Sequence, residues 1–473
     1  MKTKFILFGT LMFVSFFAFA ENTLTIENMP SLITARGSHV QLVISANEFV
    51  VLGGHVNGFY LTKSVETYDG STKQWTVTNS VGDRDMSFAA KLNNGNYLIG
   101  AGCSTGWGVG QLATTEIYNS TDKSFTAAAS MNVPRTNATS ATLKDGRVMV
   151  IGNWYASAST AEIYDPVTNS FTSTGACLVE RSFPVIIPTD DGGAIVGGGY
   201  GIYGAQLGGL LFEKYNPLTN SFTEIQTSSF YNETNWTTTV GTALTHQYLL
   251  SSGKYALIIY KPDNSKVNII TIDPATEVIA EVPLKKVIPV NDATNQTIVF
   301  GTNTIPMIDR TRNLLHIIQA GLDASHILRI VTVNMTTGSV HLAKMNGFDY
   351  YPSSGNISML DDGRILFIGG MKPDNFTLSD KAFIVSIPTY TDTGLDENNI
   401  NDTIRAYWNS LQDAFILSSL VEKATLYDLN GKTILEKNNT NSVQFNSQSA
   451  GVYIIRVQLQ YSNHYQLIKA IKY

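Results

Sequence analysis

Short hydrophobic runs separated by turn residues follow one another along the chain. Two examples are the runs 138–143 and 148–151, with the polar segment Lys-Asp-Gly-Arg at 144–147 between them. Runs of this length, bounded by Gly, Pro, Asn and Asp, are typical of antiparallel strands joined by tight turns, whereas helices need longer amphipathic segments. The pattern therefore predicts an all-β protein.

A unit of about fifty residues repeats along the first half of the chain. Its clearest mark is a Glu-x-Tyr-Asp or Glu-x-Tyr-Asn tetrad, followed after a turn by Trp or Phe. The tetrads begin at Glu66, Glu116, Glu162 and Glu213, and the aromatic residues are Trp75, Phe125, Phe171 and Phe222. Tyrosine and a second aromatic ring are the right size to fill the space between adjacent sheets. Each unit therefore contains a hairpin with an aromatic core.

Arginines and glycines recur with the same period. Each arginine precedes a strand, and a glycine-rich strand end follows roughly seventeen residues later, where a backbone without side chains allows close approach. The arginines are Arg36, Arg84, Arg135 and Arg181, and the glycine-rich ends lie at 53–54, 100–102, 152 and 197–199. Together with the hairpin, this arrangement gives four short strands in each unit.

These residues resemble the kelch repeat, which has an Arg-led strand, a glycine pair and Glu-x-Tyr-Asp followed by an aromatic residue. The resemblance covers residues 36–222 and implies a β-propeller, in which four-stranded blades cover one another's faces around a central channel. The fold predicted for residues 21–390 is therefore a kelch-type β-propeller of the galactose oxidase and N-acetylneuraminate epimerase superfamily.

The number of blades is predicted from the remaining turns. Beyond residue 222 the tetrad is lost, but turns at 273–276 and 334–338 continue the spacing, and 358–370 repeats the pattern of 141–152. The last unit lacks a fourth strand, which residues 23–29 can supply; this pairing would close the ring and remove an exposed sheet edge. We expect seven blades, with six as the alternative.

The two ends of the chain carry different signals. Lys2 and Lys4 precede an apolar run that ends in Ala18-Phe19-Ala20, so residues 1–20 are predicted to be a signal peptide rather than a spanning helix. Residues 391–404 have the polar composition of a linker. Residues 405–473 alternate as strands, two of which are predicted at 415–418 and 424–428, and contain an Asn-Gly turn, which predicts a small β-sandwich.

The C-terminal segment also resembles the sorting domain of type IX secretion. The resemblance rests on Thr425-Leu-Tyr-Asp-Leu-Asn-Gly-Lys432, Ala450-Gly-Val-Tyr453 and the final residues from Lys469 to Tyr473. It implies that the secretion machinery is a partner and that the protein is secreted or held at the outer surface of a Gram-negative bacterium. The lead-in Tyr-Pro-Asn-Pro of that family is absent, and an ordinary accessory β-domain is the alternative.

Composition narrows the partners. The formal net charge is −6, and removal of the signal peptide makes the chain more acidic, so nucleic acid is excluded as an expected partner. No other long apolar run occurs, and we expect no transmembrane segment after signal cleavage. Two cysteines do not make a disulfide scaffold, although a bridge between Cys103 and Cys177 is left open.

The candidate ligand-binding residues follow from the expected ring. Loops from every blade converge at the channel ends, where Arg36, Arg84, Arg135, Arg181, Trp236 and Tyr351 are predicted to lie. Guanidinium groups there could bind carboxylate or sulfate, and the aromatic rings could stack on sugars. The other interpretation is structural, with each arginine paired to acidic or carbonyl groups of its own or the next blade. Recurrence of the arginine in every good copy of the repeat favours this structural interpretation.

The sequence contains no recognisable catalytic motif. The copper site of galactose oxidase needs a Tyr-His pair, which this chain lacks, and we expect neither a metal nor a cofactor. The function predicted is binding of a glycan or protein ligand at one face of the channel. The alternative is a glycan-acting enzyme, such as a sialic acid epimerase or a lyase, that uses the same channel mouth.

Overall fold

The fold is known from a computed structural model. It describes residues 24–57, 60–80, 82–105, 110–154, 159–199, 212–225, 237–238, 248–260, 267–285, 288, 304–320, 327–348, 357–372, 377–390, 406–409, 414–428, 431–444, 451–458 and 465–472. The predicted signal peptide and linker, together with Trp236 and Tyr351, lie outside these residues. The chain divides into two compact units, Met1–Thr391 and Asp392–Tyr473.

The described part of the first unit consists of short strands. In chain order they are β1 (Thr25–Asn28), β2 (Val40–Ser45), β3 (Glu48–Leu52), β4 (His55–Val56), β5 (Tyr60–Leu61), β6 (Ser64–Asp69), β7 (Gln74–Asn79), β8 (Phe88–Lys91), β9 (Tyr97–Gly100), β10 (Thr115–Tyr118), β11 (Phe125–Ala128), β12 (Thr139–Thr142), β13 (Val148–Ile151), β14 (Thr160–Asp165), β15 (Ser170–Ala176), β16 (Val185–Pro188), β17 (Ala194–Gly197), β18 (Phe212–Asn216), β19 (Ser221–Ile225), β20 (Thr237–Thr238), β21 (Tyr255–Tyr260), β22 (Val267–Ile272), β23 (Ile279–Glu281), β24 (Thr304–Asp309), β25 (Leu314–Ala320), β26 (Leu328–Asn334), β27 (Val340–Met345), β28 (Ile357–Met359), β29 (Ile365–Ile368) and β30 (Ala382–Ser386). The prediction of an all-β protein is confirmed.

Among the described residues these strands form seven four-stranded antiparallel sheets. Their orders are β2-β3-β6-β7 for the first sheet, β8-β9-β10-β11 for the second, β12-β13-β14-β15 for the third, β16-β17-β18-β19 for the fourth, β20-β21-β22-β23 for the fifth, β24-β25-β26-β27 for the sixth and β28-β29-β30-β1 for the seventh. Strands β4 and β5 pair separately as a ribbon.

The seventh sheet takes its fourth strand from the other end of the chain. Strand β1 pairs antiparallel with β30, with Thr25 opposite Ser386 and Asn28 opposite Phe383. The predicted pairing of the N-terminal segment with the last unit is therefore confirmed. Because of this pairing, β30 has a hydrogen-bonded neighbour on each side, β29 and β1, and does not expose an unpaired edge.

Turn chemistry and aromatic pairs explain the hairpin in each unit. In the third sheet, Asn169 turns the chain with a φ of 48°, and its side chain accepts a hydrogen bond from the Tyr164 hydroxyl at 3.0 Å. Tyr164 lies directly opposite Phe171, and the two ring centroids are 5.0 Å apart. Asparagine tolerates a left-handed backbone better than most residues, and tilted aromatic pairs pack well across strands.

Apolar clusters lie between the sheets. Each cluster of the first unit combines side chains of two consecutive sheets, as in the cluster of Met149 and Ile163 from the third sheet with Ile186 and Val196 from the fourth. A further cluster joins Leu366 and neighbours of the seventh sheet to residues of the first. The apolar contacts therefore run from each sheet to the next and return to the first.

The second unit is one antiparallel sheet in its described part. Its strands are β31 (Ala406–Asn409), β32 (Ala414–Tyr427), β33 (Thr433–Gln444), β34 (Gly451–Gln458) and β35 (Tyr465–Lys472). The order is β31-β32-β34-β35, and β33 pairs with β32. The two strands predicted at 415–418 and 424–428 are a single strand, β32, because a register shift between Ile416 and Val421 bends it without ending it. Its core includes Phe415, Leu426 and Ile455.

Two further points concern the whole described chain. Cys103 and Cys177 form no disulfide, and burial raises the pKa of the Cys177 thiol to about 12. A search of the described residues for a helix long and apolar enough to cross a membrane finds none.

Candidate functional site

Long connections gather at one edge of the sheets. In the first four sheets, turns between the first and second strands and between the third and fourth strands are short, as at 143–147 and 166–169, whereas the other connections are longer, as at 101–114 and 129–138. In antiparallel sheets the two long kinds of connection lie at the same edge. We call the following parts of these connections the loop face: residues 36–39, 53–56, 84–87, 101–104, 135–138, 152–154, 181–184 and 369–371.

All four predicted arginines lie in the loop face and form buried ion pairs. Each pairs with the tetrad glutamate of its own sheet, and no arginine side chain is more than 2% exposed. The pairs are Arg36 with Glu66 at 2.5 Å, Arg84 with Glu116 at 3.0 Å, Arg135 with Glu162 at 3.3 Å and Arg181 with Glu213 at 2.9 Å. Burial lowers the pKa of each guanidinium, and the paired carboxylate opposes this effect.

The third sheet shows what each pair holds in place. Arg135 donates to the carbonyl oxygens of Gly152 at 3.4 Å and Thr160 at 2.7 Å, which end the second strand and begin the third. Glu162 also accepts from the backbone amides of Asn132 at 2.6 Å and Val133 at 3.0 Å. The ion pair therefore fixes the loop that enters the sheet to both ends of the connection between the second and third strands.

The backbone of the same arginines joins neighbouring sheets. Each arginine carbonyl accepts a hydrogen bond from an amide at the second strand end of the preceding sheet. The donors and acceptors are Gly370 to Arg36 at 2.8 Å, Gly54 to Arg84 at 2.8 Å, Gly102 to Arg135 at 2.8 Å and Asn153 to Arg181 at 3.1 Å. Glycine is needed at 102, because φ is 95° and a Cβ atom would lie 2.3 Å from the carbonyl oxygen of Asp85.

These contacts favour the structural of the two interpretations of the arginines. A guanidinium that is buried and balanced by glutamate is already engaged inside the protein, so it does not present its donors to a ligand. The fifth and sixth sheets support this conclusion. In the tetrad the glutamate lies three residues before the turn residue Asp or Asn, and the corresponding residues before Asp273 and Asn334 are Ile270 and Val331. Sheets without the arginine therefore also lack the glutamate.

A second feature of the loop face is a run of residues with left-handed backbone. Ser38, Met86, Asn137 and Phe183, each two positions after an arginine, have φ between 51° and 53°. The amide of Met86 donates to the carbonyl of Ser38 at 3.2 Å. In the same way, the amide of Asn137 donates to the carbonyl of Met86 at 3.4 Å, and that of Phe183 to the carbonyl of Asn137 at 3.2 Å. Such backbone costs on the order of 1 kcal/mol per residue, and the bonds between sheets hold it.

A histidine and an aspartate meet between the first and second sheets. His55 Nδ1 lies 3.1 Å from Asp85 Oδ2, with side-chain exposures of 7% and 0%. The other carboxylate oxygen accepts from the Met86 amide at 3.0 Å. Burial raises the pKa of Asp85, and the hydrogen bond and charge of His55 oppose this effect. Burial lowers the pKa of nearby His39, so that its imidazole is neutral.

An aromatic pair lies between the third and fourth sheets. Trp154 and Phe183 are both half-buried, and their rings meet edge to face with centroids 5.9 Å apart. The part of an aromatic side chain that remains exposed is apolar surface against which a sugar ring can pack. The sequence prediction placed aromatic residues at the channel mouth, but at Trp236 and Tyr351, which lie outside the described residues.

Sequence reasoning missed the His55–Asp85 pair and the Trp154–Phe183 pair. The available signal was departure from the repeat. At the position of His55 the second and seventh sheets carry Cys103 and Met371, and at the position of Asp85 the third carries Thr136. A search for what recurs passes over such positions.

Comparison with known proteins identifies the fold. Neither a protein-family model nor a curated protein matches the sequence. Among solved structures, a fungal alcohol oxidase described as showing catalytic diversity among the AA5 family, in complex with copper, matches with 12% identity and a TM-score of 0.51. The match covers 94% of this chain and 98% of that one. At this identity the likeness shows the fold alone, and it supports a galactose oxidase-like β-propeller fold.

The copper named for that structure requires a test of the residues here. Within the part of the chain that the structure describes, no group of three or more His, Cys, Asp and Glu side chains could hold a metal ion. The pair of His55 and Asp85 supplies only two donors, and they are bonded to each other. These residues therefore do not fit a copper centre.

Proposed function

We propose that this chain is an exported, seven-bladed kelch-type β-propeller that binds a glycan at its loop face. Support for the blade count comes from the seven four-stranded sheets, from the apolar clusters between consecutive sheets and from the strand that both chain ends share. The kelch assignment is supported by the four buried Arg–Glu pairs, because in each pair the recurring arginine binds the recurring glutamate of the same sheet.

The observation that carries the ligand class is the partly exposed pair of Trp154 and Phe183. Sugars present apolar ring faces to aromatic side chains and hydroxyl groups to polar ones. The buried arginines argue against a polyanion as the principal ligand, since their charges are balanced inside the sheets. A protein ligand at the same face is the competing outcome.

Export and surface location belong to the same proposal. The apolar segment before Glu21 supports cleavage by a signal peptidase, and the strands of residues 406–472 support a small β-domain, which we propose to be a sandwich that the type IX secretion machinery recognises. Mass spectrometry of protein released by the producing bacterium tests both parts. It should show a chain that begins at Glu21, and it will show whether residues after 391 are removed.

A glycan array with the mature protein tests the ligand class. We expect wild type to bind at least one glycan family and Trp154→Ala to bind it at least tenfold more weakly, a loss of about 1.4 kcal/mol. Phe171→Ala is the matched control, because Phe171 is also a partly buried aromatic residue but lies beside the short turn 166–169 at the opposite edge. No glycan binding by folded wild type, or equal losses in both variants, would refute the proposal.

A glycan-acting enzyme is the second candidate, and the His55–Asp85 pair favours it. A carboxylate that orients an imidazole is a common arrangement for proton transfer. Incubation of the mature protein with sialic acids and with the array-positive glycan, followed by NMR of the anomeric and ring protons, distinguishes the two. New product signals that disappear in His55→Leu would establish catalysis, whereas unchanged ligand would leave binding as the function.

A further inference from the structure

Four residues with left-handed backbone form an arc across the first four sheets at the loop face. They are Ser38, Met86, Asn137 and Phe183, and each lies two positions before the first strand of its sheet. Backbone hydrogen bonds of 3.2–3.4 Å link them in this order. We call these four residues the arc. Because their backbones are bonded directly to one another, the side chains of the arc lie side by side.

The position recurs in each of these sheets, but the side chain does not. Left-handed backbone is least hindered for glycine, and every other residue pays a steric cost there. The chain nevertheless places a hydroxyl, a thioether, an amide and an aromatic ring at this position. The architecture therefore requires the backbone conformation alone. Strained residues whose side chains differ from copy to copy indicate a recognition surface carried on a common scaffold.

The two apolar members of the arc do not serve the core. Met86 and Phe183 are partly exposed, and within the described sheets neither belongs to an apolar cluster between neighbours. Phe183 instead meets Trp154 edge to face. Both side chains therefore keep apolar surface at the loop face, one on each side of Asn137.

Asn137 supplies the polar group between them. The residue is 8% exposed, and its side-chain amide makes no hydrogen bond to the part of the chain that the structure describes. The hydroxyl oxygen of adjacent Thr136 is fully enclosed without a partner, whereas the amide atoms of Asn137 are not enclosed and reach the surface. An asparagine amide donates through its nitrogen and accepts through its oxygen. The arc thus offers a donor and an acceptor flanked by apolar side chains.

This combination suits an acetamido group better than a hydroxyl group. The carbonyl oxygen of an acetamido group can accept from the Asn137 nitrogen while its methyl group packs against Met86 or Phe183. The Asn137 oxygen then remains available to accept from a neighbouring sugar hydroxyl. A hydroxyl group in place of the acetamido group has no methyl group, so it cannot make the polar and the apolar contact at once.

We propose that the arc is the ligand-contacting surface of the loop face and that Asn137 gives it a preference for sugars that carry an acetamido group. This inference rests on the proposed glycan-binding function and names its ligand class. Met86 and Phe183 contribute apolar contact, and Asn137 contributes the hydrogen bonds.

Matched pairs of glycans on an array test the preference. The members of a pair share every linkage and differ in the terminal sugar, N-acetylgalactosamine against galactose or N-acetylglucosamine against glucose. Wild type should bind the acetamido member of a pair at least about tenfold more tightly. Equal binding, or tighter binding of the hydroxyl member, would overturn the inference and leave glycan binding standing. Absence of binding to any glycan by folded wild type would overturn both.

Asn137→Gly removes the amide and keeps the backbone, since glycine suits a φ of 53°. Affinity for the acetamido member should fall at least about tenfold, to the level of the hydroxyl member. Asn439→Gly is the matched control, because Asn439 is an exposed asparagine of the second unit with a φ of 47°. It should leave both affinities within about twofold of wild type. An unchanged preference in Asn137→Gly would contradict the proposal.

Two further readouts separate recognition from a structural role. Phe183→Gly should weaken binding of both members of a pair, because it removes apolar contact without removing the amide. In urea denaturation, Asn137→Gly should unfold at a midpoint close to that of Asn439→Gly. A clearly lower midpoint, with equal loss of both glycans, would show that Asn137 supports the fold and would overturn its role in recognition.

Discussion

Replacement of Arg135 by methionine should cost far more stability than replacement of a surface arginine in the same sheet. The guanidinium is fully buried and pairs with Glu162, so its removal leaves an uncompensated buried carboxylate, which costs about 3–5 kcal/mol. Arg147→Met is the matched control: Arg147 pairs with Asp145 at 2.6 Å, but both side chains are about one third exposed. Exposed pairs contribute about 0–1 kcal/mol.

Urea denaturation of the protein, followed by tryptophan fluorescence, measures both effects. The double variant Arg135→Met/Glu162→Leu should be less destabilised than the sum of the two single changes by at least about 2 kcal/mol, because neither charge remains. It should remain less stable than wild type, since the amides of Asn132 and Val133 lose their acceptor. A cost for Arg135→Met within about 1 kcal/mol of that for Arg147→Met would refute the reasoning.

Three further measurements test other parts of the structure. Gly102→Ala should destabilise the protein by about 2–5 kcal/mol, because its Cβ atom would overlap the Asp85 carbonyl. In the control Gly253→Ala, the Cβ atom meets nothing within 4 Å, and the cost should be about 1–2 kcal/mol, that of an alanine with left-handed backbone. Equal costs would contradict the close approach at Gly102. Burial lowers the pKa of His316 to about 3, so the unfolded chain takes up a proton below about pH 6.5 and the folded chain does not. Between pH 6.5 and 5, wild type should therefore lose about 1.6 kcal/mol more stability than His316→Gln in urea denaturation. Parallel pH profiles would count against this expectation. The raised pKa of Cys177 leaves roughly one part in ten thousand of this thiol as thiolate at pH 8. Iodoacetamide should therefore alkylate Cys177 in concentrated urea and hardly at all in the native protein. Rapid alkylation of the native protein would show that Cys177 is not buried.

Much of the fold follows from spacing alone. The tetrad, the aromatic residue after it and the glycine-rich strand ends recur because each is needed by every sheet, so a local pattern was enough to predict four strands per unit. The pairing of residues 23–29 with the last unit could also be predicted, since the seventh sheet lacked one strand. In the second unit the prediction divided β32 into two strands, because a bend within a strand has the same polar signature as a turn.

The site was less accessible to sequence reasoning. Arg135 and Glu162 were each identified as repeat residues, but whether the guanidinium faced a ligand or the protein depended on which side of the third strand the glutamate occupied. The His55–Asp85 pair joins two sheets and involves residues that do not recur. Neither periodicity nor composition reports contacts of that kind, whereas a comparison of aligned repeat positions would have drawn attention to them.

The shared seventh sheet has a consequence for the order of events during synthesis. Glu27 of β1 and Arg364 beside β29 form an ion pair at 3.0 Å although they are 337 positions apart in the chain. A ribosome therefore releases β1 long before it makes β30, its hydrogen-bonding neighbour, while the first six sheets are each assembled from contiguous sequence. Completion of the seventh sheet therefore has to wait until nearly the whole first unit has been translated, and until then β1 lacks its partner strand.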